Sequence, residues 1–168
     1  MIFLAKKGIC LLLVCVLLLV GCYGKSEWSC NDVFENIRYS VEIPSCEVYR
    51  YAADGSQNKL LSRLYSRGSA DIPPAIAFCD DYLLCLHTGN DIWELHIFRT
   101  VSIYDNKRIL EMLAVRRDML QNSEVFSYYS DTAQKRVFMA EIFSYRNFVV
   151  LSITDQNETV RKVLDHMK

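Results

Sequence analysis

At 168 residues the chain is long enough for one compact domain and too short for two with cores of usual size. Its charge is nearly balanced, 19 Lys and Arg against 20 Asp and Glu, with no basic cluster of the size that neutralises phosphates, which excludes nucleic acid as a natural partner.

The first residues, Met-Ile-Phe-Leu-Ala-Lys6-Lys7, precede an apolar run from Ile9 to Val20 and then Gly21-Cys22. Charged, apolar and small-residue regions in that order mark an export signal. The apolar run falls short of the roughly 20 residues a spanning helix needs, so a cleaved leader is expected. Leu19-Val20-Gly21-Cys22 is similar to a bacterial lipobox, in which the Cys thiol takes a diacylglycerol and the chain is cut just before it. This predicts residues 1–21 as leader, Cys22 as a lipid-bearing first residue, 22–30 as its short tether and 31–168 as one domain. The domain would then be lipid-anchored on the extracytoplasmic face of the cell membrane. Cys10 and Cys15 leave with the leader, as do Lys6 and Lys7, so the mature chain carries 17 basic against 20 acidic residues, a formal charge of −3.

Cys30, Cys46, Cys79 and Cys85 remain, and in an exported protein they could form two disulfides in any of three connectivities or stay as thiols. On one continuous strand Cys79 and Cys85 would lie about 20 Å apart, far beyond the roughly 7 Å limit for bridged Cα atoms.

In chain order, Val33, Phe34, Ile37 and Val41 predict an amphipathic helix over 31–41, with Ser29 or Asn31 as cap and Pro44 beyond its end. Residues 45–91 are broken by the clusters 53–58 and 67–71 and by Pro73-Pro74. Leu60, Leu61, Leu64 and Tyr65 suggest a helical turn or two, and Pro74 opens a further expected helix to Leu86. Ile92–Arg99 alternates as a strand. Ile109, Leu110, Met112, Leu113 and Leu120 give a helix over about 106–121. Arg136–Phe143 and Phe148–Ile153 read as a hairpin turning at 144–147. Asp155 and Glu158 match a capping box, with Val160, Val163, Leu164 and Met167 at helical spacing behind them. The expected class is α+β, a small antiparallel or mixed sheet with helices on one face, in the order α…β-α-β-β-α.

Asp32-Val-Phe34, Glu94-Leu-His-Ile-Phe-Arg99 and Asn147–Asp155 behind a lipobox resemble the uncharacterised lipoproteins of clostridia-type Gram-positive bacteria known as domain of unknown function 4358. The resemblance covers roughly residues 32–168 and implies an extracytoplasmic lipoprotein with a small α+β domain. It brings no reaction, cofactor or catalytic residue, and the four cysteines depart from the family's habit.

For chemistry, Cys79, Cys85 and His87, beside Asp80 and Asp81, form the one soft-ligand cluster in the sequence, the basis of an alternative reading as a small thiol- or metal-dependent enzyme. Glu94 and His96 share a strand face with Arg99 nearby, the pattern of a solvated sheet face or a polar groove. Tyr128-Tyr129 are the aromatic residues placed best for an interface. No phosphate loop or Gly-x-Ser-x-Gly elbow is present. The sequence therefore assigns no catalytic residue, cofactor or metal, and favours a non-enzymatic domain that binds an envelope protein or a small ligand. Asn157-Glu158-Thr159 fits a glycosylation sequon by chance.

Overall fold

The computed structural model describes residues 28–89 and 91–167. Cys22 and the leader lie outside the described residues. Five helices, α1 (Cys30–Arg38), α2 (Asn58–Tyr65), α3 (Asn106–Gln121), α4 (Asp131–Phe138) and α5 (Asn157–His166), surround five strands, β1 (Cys46–Arg50), β2 (Cys79–His87), β3 (Glu94–Thr100), β4 (Glu141–Tyr145) and β5 (Phe148–Ile153). Every strand pair is antiparallel and the order across the sheet is β1-β2-β3-β5-β4.

The α+β class is as expected, but the helices are not confined to one face. Alternate residues of the strands feed two separate cores. On one face Tyr82, Leu84, Phe98, Val149 and Leu151 pack under α2, α3 and α4. On the other, Leu83, Cys85, Leu95, Ile97 and Val150 pack under α1 and α5. We call these the α3 face and the α1 face. A sheet covered on both sides buries every residue of its interior strand β5, and its strands read as apolar runs rather than as clean alternation.

That coverage accounts for one misplaced element. The run from Pro74 to Leu86 is a short 3-10 turn, Pro74–Phe78, followed by strand β2 rather than a helix. Its unbroken apolar stretch Tyr82–Leu86 serves both cores, so no period of two survives for a sequence reading to find. The stretch Arg136–Phe143 is likewise not one strand. Ser130 caps α4 by accepting from the Ala133 amide at 3.2 Å, the helix runs to Phe138, and β4 begins only at Glu141. The hairpin turn is tighter than expected, with Arg146 in the left-handed region at φ 52°.

The helix starts also differ from the expected pattern. The first helix begins at Cys30, inside the predicted tether, with Ser29 and Asp32 forming a reciprocal capping box. At α5 the expected Asp155–Glu158 box is absent. Asp155 instead takes Arg136 Nε at 2.7 Å and Glu158 pairs with Lys162 at 2.7 Å. The chain is anchored there by Asn157, whose Oδ1 accepts from Ser152 Oγ, Thr154 N and Thr154 Oγ1 while its Nδ2 donates to the Met139 carbonyl.

Candidate functional site

Strand β3 directs Glu94, His96 and Phe98 to the α3 face, each in a row of apolar neighbours: Leu86 and Ile153 flank Glu94, Leu84 and Leu151 flank His96. Helix α3 lies over them, so the residues expected on a solvated sheet face are buried, His96 completely. Burying a carboxylate and an imidazole without partners would cost several kcal/mol. Two helices supply the partners. From α2, the Tyr65 hydroxyl meets His96 Nδ1 at 2.7 Å, with its ring edge-on to both His96 and Phe98. From α3, Arg116 donates Nε to Glu94 Oε2 at 3.0 Å and Nη2 to Glu94 Oε1, a two-pronged clamp. His96 Nε2 stands 3.0 Å from the same Oε2, off the line of an ideal hydrogen bond. Tyr65, His96, Glu94 and Arg116 thus stand in a row from helix to strand to helix, hydrogen-bonded at both ends and in close contact between His96 and Glu94.

The charge states follow from the surroundings. Burial alone would raise the Glu94 carboxyl, but the Arg116 charge and the His96 and Arg116 hydrogen bonds outweigh it and hold the group well below the usual carboxylate range. Burial lowers the His96 ring against the pull of Glu94, and burial first, then the Glu94 charge, pushes Tyr65 well up. At neutral pH the cluster is a neutral Tyr, a neutral His, a carboxylate and a guanidinium. Such a chain could pass a proton, yet Tyr65 and His96 lie within the core, and the arrangement holds α2 and α3 on the sheet.

Both His96 and Glu94 bind protons more readily in the unfolded chain than in the fold. Stability is therefore full above the ordinary histidine value of 6.5 and lost as pH falls below it, first through His96 and then, below 4.5, through Glu94. Urea unfolding between pH 8 and pH 5 is expected to show stability dropping with acidification, by up to about 1.4 kcal/mol per pH unit for each such group. A His96→Gln variant should lack the part of this loss between pH 6.5 and 5, and an unchanged profile would contradict the assignment.

Sequence reasoning missed Tyr65 and Arg116 as site residues, though Arg116 carried a signal. Arg116 occupies the same helical stripe as Ile109, Met112, Leu113 and Leu120, which are buried, and an arginine in an apolar stripe calls for a buried anion. Arg99, expected beside Glu94 and His96, points to the opposite face. There it donates Nε to Asp80 Oδ1 at 2.7 Å and Nη1 to the Trp28 carbonyl at 2.9 Å, while Asp81 accepts from the Cys30 amide at 2.7 Å. This group fastens the first described residues to β2 and β3.

The structure does not bring Cys79, Cys85 and His87 together, as the alternative reading of a thiol or metal site would require. Cys79 begins β2 and joins the α3-face core, a bulge separates it from the rest of the strand, and Cys85 belongs to the other core. Burial, then nearby carboxylates, pushes the Cys79 thiol up to about 12, and burial raises Cys85 further, the opposite of an activated nucleophile. His87 accepts from the Gly89 amide through Nδ1. Among the described residues no group of three or more His, Cys, Asp or Glu side chains is placed to hold a metal ion. Cys30, Cys46, Cys79 and Cys85 are all free thiols.

Two surface features remain. An open groove of about 550 Å³ runs between α1 and α5, with Trp28, Tyr39, Val163 and Met167 among its walls. Across the sheet, Val125, Tyr128, Phe138 and Met139 are exposed where the turn Phe126–Tyr128 meets α4, held by the edge-to-face pair Phe126–Phe138 at 5.4 Å. Of the expected interface pair, Tyr128 is 86% exposed, whereas Tyr129 packs against the α3-face core. Among the described residues no helix is long and apolar enough to cross a membrane. Compared with protein-family models, curated proteins and solved structures, the chain has no match.

Proposed function

We propose that this is a lipid-tethered, non-enzymatic interaction domain at the bacterial cell envelope, held to the membrane through Cys22 and recognising an envelope protein. The observation that carries the reading is the exposed apolar patch Val125, Tyr128, Phe138 and Met139, set against titratable groups that are spent on the fold. Four exposed large apolar side chains, on the turn Phe126–Tyr128 and the end of α4 that the Phe126–Phe138 pair joins, lose free energy to water that a partner would restore.

The position of the patch suits the role. Trp28 packs on the α1 face and lies six positions after Cys22, a reach of at most about 20 Å. The patch belongs to the helix layer on the other side of the sheet, turned away from the tether. The resemblance to the clostridia-type lipoproteins agrees with this reading.

A photo-crosslinking amino acid at Tyr128 tests it in intact cells, with one at exposed Lys59 on α2 as control. The expected result is a discrete adduct with an envelope protein from Tyr128, absent at Lys59 and reduced at least about tenfold by Phe138→Ser. Equal labelling at both positions, or an adduct indifferent to Phe138→Ser, would overturn the patch as the recognition surface.

A further inference from the structure

We infer that Cys46 and Cys85 form a redox-modifiable pair, closed to a disulfide by a low-molecular-weight disulfide or its enzymatic equivalent, and that Cys30 and Cys79 stay thiols. The register carries this. Val48 stands opposite Cys85 and Cys46 opposite His87 on adjacent antiparallel strands, so Cys46 and Cys85 are diagonal neighbours. Both project into the α1-face core, where the two thiols interact directly.

No other pair of the four combines a shared core with neighbouring positions on paired strands. Cys30 and Cys79 belong to cores on opposite sides of the sheet. Cys30 is tied by its amide to Asp81, four residues along β2 from Cys85, about 13 Å at strand rise.

The closure is also mechanically feasible. Diagonal neighbours on paired strands lie about 7–8 Å apart at Cα, at the upper limit for a bridge, so one partner must shift slightly. Cys46 is the first residue of β1, and β1 is an edge strand. Cys85 lies in the fully buried part of β2, a strand paired on both sides, so the shift falls to Cys46. Cys46 is also only partly buried, so the reagent reaches it first. The Cys46 thiolate displaces one thiol from the reagent's disulfide, giving a mixed disulfide. The Cys85 sulfur, poorly nucleophilic as a buried thiol but held beside Cys46 by the register, then displaces the second thiol from Cys46, its proton passing to the departing thiolate. Two protein thiols are oxidised, one S–S bond forms in the protein, one breaks in the reagent, and two reagent thiols leave. The bridge would pin an edge strand that otherwise presents unpaired backbone groups.

Incubating the folded mature chain with oxidised glutathione, then alkylating under denaturing conditions and mapping peptides by mass, tests this independently of the anchor. The expected product links the Cys46 and Cys85 peptides, with Cys30 and Cys79 alkylated. Its thermal midpoint should exceed that of the reduced protein by at least about 5 °C, a shift abolished in Cys46→Ala, which leaves the buried Cys85 in place. A link involving Cys30 or Cys79, a mixed disulfide that stays on Cys46, or four alkylated thiols after oxidation would each overturn the assignment.

Discussion

Replacing Arg116 with methionine is expected to destabilise the domain by about 3–5 kcal/mol, because it strands the Glu94 carboxylate inside the α3-face core. Glu94 is 9% and Arg116 15% exposed at the side chain, so little water is available to replace the lost partner. The reverse variant, Glu94→Gln, should cost less. The guanidinium lies nearer the surface at the end of a long stem and can turn outward, and an amide still meets His96. Removing both charges, as Glu94→Gln with Arg116→Met, should recover much of the loss, since the penalty arises from an unpaired charge rather than from a missing contact. Urea midpoints for the three variants decide the matter. A single Arg116→Met change worth under about 1 kcal/mol would mean that the pair is not buried as described.

The largest effect on location is expected at Cys22, on the proposal of a lipid anchor. A Cys22→Ala variant has no thiol to alkylate, and the peptidase that cuts before the modified Cys has no substrate. The chain isolated from cells should therefore carry the mass of the uncleaved sequence, without a diacylglycerol increment, whereas the parent should begin at a lipid-bearing Cys22. The outcome is all-or-none and is read by intact mass. A variant with the same mature mass and membrane attachment as the parent would remove the anchor from the proposal, leaving the fold and the aromatic patch as they are.

Where one physical signal dominated, the sequence was easy to read. Strand β3, helix α3 and helix α5 were all placed to within a few residues, since each pairs a clear apolar period with polar flanks. The strand β1 escaped notice because Cys46–Arg50 alternates weakly and lies between breakers. The mistaken start at Asp155 has a tertiary cause: Arg136 claims the carboxylate that would have capped the helix.

The candidate site was half legible. Glu94 and His96 stood out as titratable residues two apart on a strand, but alternation says only that they share a face, not what covers it.

By itself, the sequence determined the α+β class, the period-bearing elements and a leader-like N-terminal pattern, because these depend on spacings within single segments. Only the tertiary structure decided that the sheet is covered on both sides, that Tyr65 and Arg116 complete the buried chain at His96 and Glu94, and that Cys46 rather than Cys79 meets Cys85. Each depends on which strand lies beside which and which helix crosses above. Those choices are made by packing between segments distant in sequence, where periodicity within one segment carries no information.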